Sequence, residues 1–112
     1  SLMAQARTGA IYLSVTNSGP SPDALVGLET DRAEFAELHE SLNENNVMQM
    51  RAVERLELAP GQMTDLGAMH MHIMLVGLKA PLKPGETVKL RLIFETSDPL
   101  EIDVPVGDAP AH

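Results

Sequence analysis

A short segment that interleaves methionine with histidine is the part of this sequence best suited to chemistry. From Met69 to Met74 the chain reads Met-His-Met-His-Ile-Met. If this segment is extended, alternate side chains share a face, so His70, His72 and Met74 line one side of a strand. Imidazole and thioether ligands together favour a soft cation, and Cu(I) accepts sulfur ligands that Mg²⁺ and Ca²⁺ refuse. The pattern therefore predicts a copper(I) site.

Two further segments offer ligands of the same kind. Met48 and Met50 share a face if residues 47–50 are extended. His39 precedes them across residues 43–46, a polar stretch typical of a hairpin loop. A thioether has no proton to lose, so protons compete with the metal only at the histidines. We therefore expect metal affinity to weaken below about pH 6.5, the ordinary pKa of histidine.

The composition indicates one acidic domain outside the cytoplasm. The chain has 112 residues, of which 44% are hydrophobic, enough for one compact core. Its formal net charge of −8 argues against nucleic acid as a partner. No apolar run approaches the roughly 20 residues of a membrane-spanning helix. Cysteine is absent, which excludes disulfides, thiolate zinc sites and blue-copper centres and suits an oxidising compartment.

The elements that must position these ligands are predicted to be strands. Alternation of apolar and polar residues, or a short apolar run, occurs over residues 9–17, 24–28, 88–95 and 100–104. Pro-Gly pairs separate later segments, as expected for an antiparallel sandwich. Residues 31–42 are rich in helix formers, yet a strand there places Phe35, Glu37 and His39 on one face. We favour the strand, because sheet context often overrides local propensity.

The spacing of the candidate ligands resembles that of a known family. The pattern H-x10-M-x21-H-x-M of the periplasmic copper chaperones called PCuAC is matched by four residues: His39, Met50, His72 and Met74. The similarity extends over about residues 9–106. This resemblance implies an all-β fold, a cupredoxin-like antiparallel Greek-key β-sandwich. It also implies that the four side chains bind one Cu(I) at an exposed end of the domain.

The same resemblance implies a role without catalysis. Proteins of this family carry copper in the bacterial periplasm and supply it to the CuA centre of cytochrome c oxidase, so a Sco-type protein or oxidase subunit II is the implied acceptor. We accordingly expect that a signal peptide or anchor has been removed. The domain is expected over residues 9–106, with residues 1–8 an N-terminal segment that includes an expression-vector remnant and residues 107–112 a flexible tail.

Two departures from the family pattern affect these expectations. Family members commonly have an N-terminal strand with a tryptophan before the segment that matches Gly9, and this sequence shows neither. The usual Pro-Gly-Gly turn before the H-x-M appears here as Ala68-Met69-His70. The second departure places an extra histidine beside the site and leaves open whether His70 is a ligand.

Two other functions are compatible with the residues. His39, His70 and His72 would form a three-histidine zinc site with an open position for water, as in zinc hydrolases. Alternatively, a β-sandwich without metal would use its methionine-rich strand as an apolar docking patch. The zinc hypothesis leaves the placement of Met50 and Met74 unexplained, and no general base accompanies it.

The remaining methionines and carboxylates are expected to have ordinary structural roles. Met3 and Met63 are interpreted as core filling. For Met48, Met69 and Met71, packing is favoured over a soft rim that guides copper. The acidic residues near His39, including Glu37, are interpreted as a solvated strand face.

Overall fold

The structure, a computed structural model, describes residues 2–6, 11 and 13–105 of the chain, with side chains for residues 11 and 13–105. Its described part contains ten strands and no helix. In chain order they are β1 (Leu2–Ala6), β2 (Leu13–Asn17), β3 (Asp23–Thr30), β4 (Ala33–Glu44), β5 (Val47–Ala52), β6 (Leu56–Leu58), β7 (Gln62–Asp65), β8 (Met71–Leu78), β9 (Thr87–Phe94) and β10 (Leu100–Pro105). The all-β prediction is confirmed, and the predicted tail lies outside the described residues.

The strands form three antiparallel sheets. Their orders are β1-β2-β7, β10-β9-β3-β6 and β5-β4-β8. A β-bridge between Ile11 and Ile73 joins β8 to the segment that precedes β2, and the Ile73 amide donates to the Ile11 carbonyl at 3.1 Å. The first and third sheets are thereby linked along one side of the sandwich.

The core lies where the apolar faces of these sheets meet. Alternate residues of β9 are buried, as the period-2 pattern predicts, and β2 and β8 contribute in the same way. The buried side chains on these three strands are Leu13, Val15, Met71, Ile73, Val88, Leu90, Leu92 and Phe94. Each fully buried aliphatic side chain contributes roughly 1.5–3 kcal/mol relative to an exposed one. The same burial fixes which face of β8 turns away from the core.

The segment with helical propensity is a strand, as predicted. β4 is the central strand of the third sheet and pairs with β5 on one side and β8 on the other. Backbone hydrogen bonding on both sides outweighs the local helix preference of residues 31–42. Leu38 is buried in the core whereas Phe35 is 60% exposed, and Leu38 and His39 lie on opposite faces. A helix would have placed those two neighbouring residues on one side.

The expectation that no strand precedes Gly9 is wrong. Leu2–Ala6 form β1, which pairs antiparallel with β2 in a register from Leu2↔Asn17 to Ala6↔Leu13. The segment lacks β-branched residues and strict alternation, so the sequence pattern did not reveal it. The pairing supplies it with the hydrogen bonds of a neighbouring strand. The domain boundaries at residues 9 and 106 stay a prediction.

The prediction that Met63 lies in the core is also wrong. It lies on β7 and is 63% exposed. In the β2–β7 pair, the buried Val15 is opposite Thr64, and Met63 is opposite Thr16. Because successive side chains of a strand alternate between faces, the pairing directs Met63 away from the core. The side chain of Met3 lies outside the described residues.

A buried carboxylate fixes the loop that follows β9. Asp23 is buried and accepts hydrogen bonds from the backbone amides of Ala24, Thr96 and Ser97 and from the Ser97 hydroxyl. Burial alone would raise the pKa of Asp23, but these hydrogen bonds outweigh it and lower the pKa from 3.8 to about 2. The charged form is therefore the one that the fold stabilises.

A glycine in β8 allows a close approach between strands. Gly77 has a φ of +73°, a region that residues with a side chain rarely adopt. A Cβ atom there would lie 2.5 Å from Oε1 and 3.1 Å from Cβ of Glu34. The positive φ and the nearby Glu34 side chain therefore both favour glycine at this position.

Candidate metal site

Two of the predicted ligands are direct cross-strand partners. His39 on β4 is opposite His72 on β8, with ring centroids 6.1 Å apart and ring planes inclined by 55°. Met74 follows His72 by two residues and so projects to the same side. Leu38, which precedes His39, and Ile73, which follows His72, are buried in the core. The histidines and Met74 therefore lie on the outer face of the third sheet.

Met50 reaches this outer face from the other side of β4. It pairs across the β4–β5 ladder with Ser41, two residues from His39. Met50 is thus a diagonal neighbour of His39, a relationship that leaves long side chains within reach of each other. Met74 is diagonal to His39 in the opposite direction, because its partner Glu37 precedes His39 by two residues. His39 therefore lies between the two methionines.

The site is shallow. Met50 is 51% exposed and Met74 is 36% exposed, whereas the His39 side chain is largely covered. Burial, and secondly the proximity of His39, lowers the pKa of His72 below its ordinary value. His72 is therefore neutral at physiological pH, which is the form that binds metals. The arrangement offers two imidazoles beside two solvent-accessible thioethers, a donor set suited to a soft cation.

Glu37 is part of this site, which the sequence reasoning missed. Its Oε1 lies 2.9 Å from Nε2 of His39. The two residues are separated by one position on β4, so their side chains project from the same face. The signal was present in the sequence: a Glu-x-His spacing in a strand places a carboxylate beside an imidazole. Interpreted only as a solvated acidic face, Glu37 was not assigned a role.

His70 precedes β8 in an unusual backbone conformation. Its φ is +60°, in the left-handed region that costs a residue with a side chain roughly 1–2 kcal/mol. The His70 carbonyl accepts a hydrogen bond from the Ser41 amide at 2.9 Å, and the His70 amide donates to the Gly67 carbonyl at 3.1 Å. The His70 side chain is exposed. A glycine would adopt this turn without strain, so the altered turn is accommodated at a cost.

The three-histidine zinc site is not formed. In the part of the chain that the structure describes, no three His, Asp or Glu side chains converge on a position able to hold a metal ion. His39 and His72 are adjacent, but His70 lies in the turn before β8 and does not complete a group of three. The hypothesis of a zinc site formed by three histidines is therefore wrong.

The auxiliary methionines divide into two groups. Met71 is buried in the core, which confirms the packing interpretation for that residue. Met48 is 66% exposed and Met69 is 41% exposed, so packing is wrong for these two. Met48 pairs with Asn43 and lies two residues from Met50, on the outer face. Met48 therefore adds a further exposed thioether beside Met50.

Proteins of similar structure include copper-binding domains. Cu(I)-bound DR1885 from Deinococcus radiodurans is 30% identical, with a TM-score of 0.68 over 95% of this chain and 76% of its own. The copper-bound PCuAC domain from PmoF2 is 21% identical, with a TM-score of 0.70 over 89% of this chain and 78% of its own. The apo PCuAC domain from PmoF1 is 23% identical, with a TM-score of 0.70 over 97% of this chain and 90% of its own. The predicted cupredoxin-like β-sandwich is confirmed.

Sequence comparison finds a relative and a family that are both named as lipoproteins. The protein "Putative lipoprotein Lxx21020" from Leifsonia xyli subsp. xyli is 32% identical over 100 residues. That alignment covers 88% of this chain and 60% of the relative, so the chain spans about three fifths of its relative's length. Among the described residues, none forms a helix long and apolar enough to cross a membrane. Residues 2–106 match the family "Putative lipoprotein LpqE-like", and the chain belongs to this LpqE-like family.

Proposed function

We propose that this protein is a copper chaperone that holds one Cu(I) through His39, Met50, His72 and Met74. The observation that carries the proposal is the placement of Met50, His72 and Met74 around His39 on one outer sheet face. The four residues come from three different strands, and the sequence spacing alone did not require that they share one face. The Cu(I)-bound relative DR1885, 30% identical to this chain, supports copper as the cargo.

The chemistry of the donors suits binding followed by release. Thioethers are uncharged and polarizable, so they hold Cu(I) without competing protons and without adding charge. The two methionines are the more exposed members of the set. An incoming ligand from an acceptor therefore displaces one of the exposed thioethers before it displaces an imidazole. The protein acts by ligand exchange and catalyses no reaction.

The proposed place of action and acceptor rest on the family, the composition and the resemblance to PCuAC proteins. A family described as lipoproteins and a sequence without cysteine both favour a location outside the cytoplasm. The resemblance to PCuAC proteins favours the periplasmic side of the membrane and delivery toward the CuA centre of cytochrome c oxidase. A Sco-type protein or oxidase subunit II is the proposed acceptor.

An anaerobic competition titration tests the proposed site. Cu(I) is titrated against a colorimetric chelator with wild-type protein and with a variant carrying His39→Ala, Met50→Leu, His72→Ala and Met74→Leu. We expect the wild type to hold one equivalent tightly and the variant to hold none, with circular dichroism confirming that both are folded. A parallel titration with Zn²⁺ is expected to show little retention.

Three other results of these titrations would contradict the proposed function. Tight Cu(I) binding by the quadruple variant would mean that copper is held at a different site. Zinc retained without Cu(I) would favour a hydrolytic site, and binding of neither metal would favour an interaction module.

A further inference from the structure

We infer that Glu37 is a positioning residue: its carboxylate holds the His39 ring so that copper binds through Nδ1 of His39. The inference rests on the proposed function, because it specifies how one of the four proposed ligands is oriented. The observation behind it is the contact of 2.9 Å between Nε2 of His39 and Oε1 of Glu37.

The contact with Glu37 distinguishes the two ring nitrogens of His39. In neutral imidazole one nitrogen carries a proton and the other has a free lone pair. A carboxylate accepts hydrogen bonds, so the nitrogen that faces Glu37 is the protonated one. Nε2–H therefore donates to Glu37, and the lone pair remains on Nδ1, on the other edge of the ring. A metal ion is bound by the nitrogen with the lone pair.

Glu37 is available for this task. Among the described residues, the side-chain hydrogen bond of Glu37 is made with His39. Glu40, the next carboxylate along β4, instead accepts from Arg51 at 3.1 Å. Glu37 is also too hard a ligand to compete for Cu(I) beside two thioethers. Its carboxylate therefore supports the first histidine without replacing a ligand.

The arrangement makes the two histidines inequivalent. The residue two positions before His39 is the carboxylate Glu37, whereas the residue two positions before His72 is His70, in the turn before β8. A carboxylate partner fixes the tautomer and the orientation of the imidazole to which it is bonded. His39 is therefore the more firmly oriented ligand of the pair.

The test compares Glu37→Ala and Glu37→Gln with Glu44→Gln. Glu44 is an exposed carboxylate at the end of the same strand, so Glu44→Gln removes the same charge without touching His39. Loss of a carboxylate partner typically costs about 10–100-fold in metal affinity. We expect the Cu(I) dissociation constant to rise by that factor in Glu37→Ala, by less in Glu37→Gln, whose amide oxygen still accepts, and to stay unchanged in Glu44→Gln.

Nitrogen NMR of the His39 ring supplies a readout that a structural role would not change. In apo wild type above pH 8 we expect the Nε2–H tautomer, and in Glu37→Ala a mixture of tautomers. With Cu(I) bound, Nδ1 is expected to shift. Coordination through Nε2, or an unchanged Cu(I) affinity in Glu37→Ala, would overturn the inference.

The same data separate this inference from the proposed function. If wild type fails to bind Cu(I), the proposed function is wrong, whatever the apo tautomer. If wild type binds Cu(I) and Glu37→Ala binds it equally, only the role of Glu37 is wrong.

Discussion

His39 and His72 are opposite each other in the β4–β8 ladder, so the register of two strands sets the separation of their rings. A sheet face is stiffer than a loop, and β4 is braced by a neighbour on each side. The backbone positions of the two imidazoles are therefore fixed by the sheet, whereas Met50 and Met74 are exposed side chains.

Replacing Met50 by leucine is expected to weaken Cu(I) binding at least about tenfold, a change of about 1.4 kcal/mol. Leucine is similar in volume but has no sulfur, and the exposed position of Met50 limits the effect on folding. The matched control is Met63→Leu, which removes a comparably exposed methionine from β7. Equal Cu(I) affinities for the two variants, by anaerobic competition, would exclude Met50 as a ligand.

Replacing His70 by glycine is expected to leave Cu(I) affinity unchanged. The side chain belongs to a turn residue with a φ of +60°, and glycine adopts that conformation without the penalty of about 1–2 kcal/mol. Thermal and chemical unfolding should show equal or slightly higher stability, because part of the gain is offset by the greater freedom of glycine in the unfolded chain. A drop in copper affinity would instead make His70 a fifth ligand.

Gly77→Ala is expected to destabilise the fold by about 2–3 kcal/mol. Its Cβ would enter space held by the Glu34 side chain, and its φ of +73° disfavours any side chain. Gly61 has the same φ, but a Cβ atom at Gly61 would meet no atom within 4 Å, so Gly61→Ala measures the conformational cost alone. Urea unfolding of both variants should show the larger loss for Gly77→Ala; equal losses would mean that Glu34 moves aside freely.

Asp23 is expected to make stability depend on acidic pH. Its folded pKa of about 2 is below the ordinary 3.8, so its contribution is present above about pH 4 and is lost as pH falls toward 2. Asp23→Asn should lower the free energy of unfolding by about 2 kcal/mol at pH 7, since a charged acceptor of several hydrogen bonds is lost. The difference between variant and wild type, measured by urea unfolding, should shrink from pH 4 to pH 2. A constant difference would contradict this account.

The sequence predicted the strands with clear alternation and the four residues gathered on one face. It did not predict β1, whose partner β2 supplies the hydrogen bonds that a short segment of ordinary composition needs. It also placed Met63 in the core, because composition does not reveal which face of a short strand meets a partner. Glu37 was missed for a different reason. Its Glu-x-His spacing was visible in the sequence, but the acidic residues of this strand were interpreted together as a solvated face, and the contact with His39 appears only in the structure.

The turn between β4 and β5 controls the orientation of Met50. Asn45 and Asn46 form a two-residue loop with φ values of 54° and 65°, the geometry of a type I′ turn. A single residue inserted there would shift the β5 register by one position and rotate Met50 to the opposite side of the sheet. The length of this turn, which offers no metal-binding group of its own, therefore determines whether Met50 shares a face with the other three proposed ligands.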